Sequence, residues 1–274
     1  MKNFSFGQYY PADSPIHRLD PRAKVILAIL YIVCTFLCGN LSAFLVLVAS
    51  AVLLILLSKI PLSLVLRSLR PILFVIVFTS LINVFATKGE HLLTPDGWWI
   101  RIYAEGLWKA LYMILRISVL IIGTGIFLTY TTTPIALTDA LEHLLSPLKK
   151  IKVPVHDFAM MMTIALRFIP TLTEETEKIM NAQKARGANF SDGSLLQRAK
   201  ALIPILVPLF VSAFNRAFEL ASAMECRCYH GGEGRTRLNV LHYRAVDFVA
   251  MFTVVAFGVG LFFLNRYGFG YKMG

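Results

Sequence analysis

VILAILYIVCTFLCGNLSAFLVLVASAVLLILL, residues 25–57, runs without a single charged side chain. A stretch this long and this apolar exceeds what one buried core helix of a soluble domain holds, and it is rich enough to cross a bilayer. Its one interruption is Gly39-Asn40, a pair that turns the chain. The segment therefore reads as a tight transmembrane hairpin, Val25 to Cys38 and Leu41 to Leu57, or as one interrupted span. The flanking lysines decide for the hairpin, because a return crossing puts Lys24 and Lys59 on the same side.

Working outward from the hairpin, Ser14-Pro-Ile-His-Arg-Leu-Asp-Pro-Arg-Ala-Lys24 is a polar lead-in, with Asp20 as N-cap and Pro21 at the first helical position. No apolar run precedes residue 25, so no cleavable signal peptide is expected. Downstream, Pro71 to Ala86 is a third apolar stretch, preceded by Arg67 and Arg70. Residues 87–108 carry Pro95, Gly97, Trp98, Trp99 and Trp108, the mixture of an interfacial belt. Ala110 to Tyr130 and Val246 to Leu264 complete the spans. The chain has 274 residues, 57% hydrophobic and 16% charged. Its mean hydropathy is +0.65. Soluble domains are less apolar and more charged, so the class is an all-α integral membrane protein with about five transmembrane helices.

A net charge of +11 raises nucleic acid as a partner, but the charges follow the bilayer instead. With five spans and the N-terminus inside, 21 of the 27 lysines and arginines fall inside and 5 outside, with Arg116 within the fourth span. No nucleic-acid partner is therefore expected. The four cysteines read as reduced thiols: Cys34 and Cys38 lie in an apolar helix, and Cys226 and Cys228 flank an arginine.

Residues 131–245 are too long for a simple loop and read as a cytoplasmic domain between a membrane domain, 1–130, and a last span within 246–274. Pro134 to Leu148 predicts a short helix that runs into Lys149-Lys150-Ile151-Lys152. Val155 to Arg186 predicts a long helix of about 48 Å, apolar at first and charged in its second half. Leu195 to Tyr229 predicts another, bent at Pro204 and Pro208. Its apolar piece, Ala201 to Phe214, is too short to cross and basic on both flanks, so it is laid against the membrane or against protein. The expectation from the residues is a cytoplasmic domain of long amphipathic helices.

Both long helices run down to one arginine between two small residues, followed by a glycine-containing turn: Ala185-Arg186-Gly187 and Cys226-Arg227-Cys228. A guanidinium in the last turn faces the negative end of the helix dipole and stays free to pair with a partner's carboxylate. Basic residues followed by glycine are common helix endings, but two such tips in adjacent helices point to paired docking.

Other chemistry is sparse. Arg116 at membrane depth is a functional candidate or a structural anchor that snorkels. Cys226, Cys228 and His230 suggest metal ligands only until helix geometry sends alternate residues to different faces. Glu174, Glu175 and Glu177, with Lys178 and Lys184 nearby, read as a solvated face. Hydrolytic and nucleotide-binding motifs are absent, so no catalytic residue, metal or cofactor is expected.

The lead-in from Ser14 to Lys24, then Ala165-Leu-Arg-Phe-Ile-Pro-Thr-Leu-Thr-Glu-Glu175, Ala182-Gln-Lys-Ala-Arg-Gly187 and Met224-Glu-Cys-Arg-Cys-Tyr-His-Gly-Gly-Glu-Gly-Arg-Thr236, in that order, resemble the transmembrane T component of energy-coupling factor (ECF) transporters, the EcfT/CbiQ family. The resemblance covers nearly the whole chain. It implies a multi-pass scaffold in the bacterial plasma membrane, not an enzyme, whose crossing coupling helices each end in an Ala-Arg-Gly-type motif. Each motif sits in a groove of one of two ABC-type ATPase subunits (EcfA and EcfA′), while a separate S component binds the vitamin or metal ion. Arg186 and Arg227 carry over as the ATPase-docking arginines, with cysteine replacing both small neighbours in the second motif. The apolar side of the long helices, with Met160, Met161, Met162, Phe168, Phe210 and Phe214, is expected to hold the S component. The alternative is a membrane-embedded enzyme using Arg116 and the acidic residues of the long helices.

Overall fold

The computed structural model describes residues 9–87, 103–188, 190, 194–231 and 241–267. The tryptophans expected in an interfacial belt at 98 and 99, and the end of the second motif from Gly232 to Thr236, lie outside them. The described residues form α-helices and short 3₁₀ and π turns, with no strand among them: α1 (Pro21–Leu37), α2 (Leu41–Ser58), α3 (Leu62–Leu69), α4 (Leu73–Ala86), α5 (Ala104–Thr124), α6 (Pro134–Leu144), α7 (Val155–Ala185), α8 (Leu195–Cys226) and α9 (Ala245–Tyr267). They divide into two compact units, Met1–Ala140 with Leu241–Gly274, and Leu141–Val240.

In the first unit, one chain end anchors everything. Asp20 caps α1 by accepting from the Arg22 N–H at 2.8 Å, as its place before Pro21 predicts. The Asp20 N–H in turn donates to Asp247 Oδ1 at 2.8 Å, so α9 begins beside the start of α1. Lys24 Nζ donates to the carbonyls of Thr131 (2.7 Å) and His17 (3.2 Å), which brings the end of α5 to the same place. His17 Nε2 lies 2.8 Å from the Tyr10 carbonyl, which can only accept, so this nitrogen donates, and Nδ1 hydrogen-bonds with Ser14 Oγ at 2.7 Å. Lys24 and Asp247 are only 2% and 1% exposed. Asp20 and Lys24 of the lead-in therefore tie three helices together, while Ser14 and His17 hold the chain before α1.

At the far end of α1, Gly39 N–H donates to Asn265 Oδ1 (3.1 Å) and Asn40 Nδ2 to the Asn265 carbonyl (2.8 Å). Helix α9 thus runs beside α1 in the same direction. Helix α5 runs the opposite way, with Arg116 and Tyr112 reaching the Cys38 carbonyl and Tyr130 returning to Tyr10, whose N–H donates to its carbonyl at 3.0 Å. The π turn Gly125–Tyr130 that ends α5 also lets the Tyr130 hydroxyl donate to the Leu64 carbonyl at 3.3 Å, so α2 has come back to the starting end before α3. The core between these passes holds Leu27, Tyr31, Phe44, Leu47, Ile126 and Leu261. A Cβ at Gly123 would overlap the Tyr31 ring, so glycine there permits the close approach of α5 to α1.

Five helical segments are long and apolar enough to cross a membrane: Leu41–Ser58, Leu62–Ala86, Ala104–Tyr130, Leu196–Cys226 and Ala245–Tyr267. The number agrees with the sequence reading and the membership does not. Helix α1, with 17 residues, falls short on length alone, although it lies at the centre of the first unit. Helix α8 qualifies because it continues for 32 residues through Pro204 and Pro208. The sequence reading ran the same helix from Leu195 to Tyr229 but took only its middle, between basic flanks, as an apolar piece of about 14 residues too short to cross. Each proline removes one ladder N–H, but the turns on both sides keep theirs, and Ser194 starts the helix with a capping box to Gln197.

Candidate functional site

In the second unit α7 and α8 pair side by side. Ser212 Oγ donates to Glu175 Oε1 at 2.6 Å and Arg216 to Glu175 Oε2 at 3.1 Å. The Ser212 hydrogen bond, helped by the Arg216 guanidinium, holds the Glu175 carboxyl below the usual range. Glu175 was expected on a solvated face with Glu174 and Glu177. Those two are exposed, but Glu175 sits on the side turned to α8. An apolar cavity of about 270 Å³ continues the seam, between Ile164, Phe168 and Leu172 of α7 and Ala213, Leu220 and Met224 of α8.

The order of these pairs fixes the direction. Glu175 meets Ser212 and Arg216, and the earlier Ile164 shares the cavity with the later Met224, so the helices are antiparallel. Their C-terminal tips consequently point to opposite ends of the pair. Helix α7 continues from Ile164, level with the end of α8, to its own tip at Arg186, a separation of roughly 30 Å along the axis at 1.5 Å per residue.

The two tips have the same backbone. Arg186 is the C-cap of α7; Gly187 follows at φ 87°, its N–H donating to Lys184 O at 2.9 Å, and Ala188 N–H returns to Gln183 O at 3.0 Å. Arg227 is the C-cap of α8; Cys228 follows at φ 53°, its N–H donating to Glu225 O at 2.9 Å, and Tyr229 N–H returns to Met224 O at 3.0 Å. Both are Schellman closures, which satisfy the last carbonyls and need a left-handed residue just beyond the cap. Size alone therefore does not account for the residue after each arginine. That position is also a conformational one, which Gly187 fills freely and Cys228 fills under strain. Cys228→Gly is expected to stabilise the second tip by about 1 kcal/mol, read as slower amide exchange over residues 224–229. Unchanged exchange there would show that the cysteine bears no strain.

Ala185, Arg186, Gly187, Cys226, Arg227 and Cys228 are all exposed, and among the described residues neither arginine has an ion-pair partner. The residues expected to hold an S component separate by position. Met161, Met162, Phe210 and Phe214 are exposed, Met160 is half-buried, and Phe168 lines the cavity between α7 and α8. On α8 the rings of Phe210 and Phe214 lie 4.6 Å apart, and Phe218, not singled out from sequence, extends the row at 6.5 Å. Its signal was the i, i+4, i+8 spacing.

Arg116 acts as an anchor. It donates to the Cys38 carbonyl at 2.6 Å and to the Tyr112 hydroxyl, and its guanidinium lies over the Tyr112 ring at 4.4 Å from the centroid. No group of three or more metal-ligating side chains is assembled among the described residues.

With this geometry in place, the comparisons with known proteins are direct. A family description for cobalt transport proteins, CbiQ, matches residues 12–238. The chain belongs to the CbiQ family. Curated relatives of this family named energy-coupling factor transporter transmembrane protein EcfT match along nearly their whole length. The one from Ruminiclostridium cellulolyticum is 49% identical over 94% of this chain and 95% of its own. That from Brevibacillus brevis is 50% identical over 93% and 96%, and that from Bacillus subtilis 44% identical over 97% and 99%. As a CbiQ-family member the chain is the transmembrane component of an energy-coupling factor transporter, a non-catalytic subunit, and the enzyme alternative falls.

Proposed function

We propose that this chain couples ATP hydrolysis by two ABC-type ATPase subunits to uptake of a vitamin or metal ion by a separate S component, in the bacterial plasma membrane. The N-terminus and residues 131–245 lie on the cytoplasmic side. The observation that carries this reading is the pair of identically closed, exposed arginine tips at opposite ends of an antiparallel helix pair. Two tips roughly 30 Å apart along one stiff support suit two separate grooves, one per ATPase subunit. Arg186 with Ala185 and Gly187 fills one groove, and Arg227 with Cys226 and Cys228 the other. The exposed methionines and phenylalanines of α7 and α8 receive the S component.

Purification of the tagged chain from its native membrane is expected to bring down two ATPase chains and a small membrane protein. Recovery of neither ATPase under conditions that keep the chain folded would sink the proposal. Single negative charges at Met161 and at Phe210 should lower S-component recovery at least about tenfold, since a carboxylate buried in an apolar contact costs more than 1.4 kcal/mol, and should leave ATPase recovery intact. Equal recovery of both partners from such variants would remove this face from the interface.

A further inference from the structure

The segment between α6 and α7 has a character that docking of ATPase or S component does not use. Ser146–Ile151 is a 3₁₀ turn, in which side chains three apart lie in one row. One row holds Leu148 and Ile151, Lys149 and Lys150 stand in the rows on either side of it, and Lys152 caps the turn. The apolar row continues backward through Leu145 and Leu141 at helical spacing. All four apolar side chains are exposed, Ile151 by 76%. The three lysines are exposed as well, none has an ion pair among the described residues, and residues 145–154 contain no acid.

The turn is also held rigidly. Lys152 is left-handed at φ 62°, its N–H donates to Lys149 O at 3.0 Å, and Val153 N–H returns to Leu148 O at 3.4 Å. A lysine in this conformation costs free energy that a glycine would not, yet it keeps a third positive charge beside the first two.

We propose that residues 141–153 form a lipid-docking foot: Leu145, Leu148 and Ile151 enter the boundary of the acyl chains, and Lys149, Lys150 and Lys152 bind the phosphates of anionic headgroups. Solvated charge runs do not need exposed apolar neighbours in register with them. Here the apolar row runs between lysines, the arrangement of an interfacial segment whose lysines snorkel to the headgroup level. The uncompensated positive charge selects an anionic surface over a zwitterionic one. This foot precedes α7, at the end of the pair where α8 finishes, and would fix that end of the coupling helices to the bilayer.

The test is hydrogen–deuterium exchange on the full chain in bilayer discs of phosphatidylcholine, with and without phosphatidylglycerol. Amides of residues 148–153 should exchange more slowly when phosphatidylglycerol is present, and added salt should reverse the protection. Each lysine changed to glutamine should lower the protection about fivefold. Ile151→Ser should lower it too, although the charge is untouched. Amides around Glu175 and Arg216 serve as the internal measure that each variant is folded. Equal exchange in both lipids, or protection that arises only when ATPase subunits are added, would overturn the proposal, the latter by assigning the segment to a protein surface.

Discussion

Replacing Arg186 and Arg227 together by alanine is expected to abolish transport, and each single replacement to weaken it severalfold. Both guanidiniums sit at C-caps whose backbone is already closed by Schellman hydrogen bonds, so the side chains are not needed to finish their helices. Removing them leaves the helices intact and takes away only what the tips present outward. In the docking we propose, each arginine pairs with an acid of an ATPase groove, and its loss would strand that acid at a cost of about 2 to 5 kcal/mol where the pair is buried. Two such losses exceed what the remaining apolar contacts of small tips can offset. Lysine restores the charge but lacks the planar two-pronged donor, so Arg186→Lys with Arg227→Lys should recover transport in part. Vitamin or metal uptake in vesicles should be measured beside ATPase co-purification, since a variant that still binds ATPase but no longer transports has lost coupling and not docking. Normal assembly and transport by the double alanine variant would show that the tips do not carry the force.

Asp247→Ala is expected to be the most destabilising single change at the shared end of α1 and α9. Its two carboxylate oxygens accept the Asp20 N–H at 2.8 Å and the Arg244 N–H at 2.7 Å, and the side chain is 1% exposed. Alanine leaves the buried Asp20 N–H with no acceptor, at about 1 to 3 kcal/mol, and strips the Arg244 N–H of its cap at the start of α9. It also takes away a charge near the buried Lys24 ammonium. The expected result is a clear drop in melting temperature in detergent. Asp13→Ala makes the comparison, because Asp13 pairs with Arg18 at 2.8 Å on the surface, with both side chains more than two-thirds exposed. Such a pair contributes less than about 1 kcal/mol. If the two variants melt together, the buried carboxylate does not hold α9 to α1.

The same residues show what a sequence discloses and what it hides. The start of α1 was legible because an N-cap and a proline are local signals, read within four residues. The apolar helices α2, α4, α5 and α9 were legible because burial in lipid imposes a composition that a window detects. Asp247 was not, since its partner lies 227 residues away and no periodicity connects them. Glu175 was misread as solvated because two neighbouring glutamates are, and only its register against Ser212 and Arg216 separates it. In the tips the arginines were plain from the repeat. The left-handed demand on the residue after them was masked at Cys228, where the residue type usual for that conformation is missing. Helix α8 was legible in its extent, Leu195 to Tyr229 on paper against Leu195–Cys226 in the structure, but its apolar part was measured only between the nearest basic residues and so looked too short to cross.

Helix α1 leans on a partner made 227 residues after it. The Asp20 N–H waits for Asp247 and the Gly39 N–H for Asn265, separations of 227 and 226 residues. During synthesis the first helix therefore enters the membrane with both of its ends lacking those bonds, and the bundle is held by helices two to five alone. Closing so long a loop adds little entropy beyond that of a shorter one, so the cost is one of timing: α1 is made well before α9 and takes its final seat only once α9 exists.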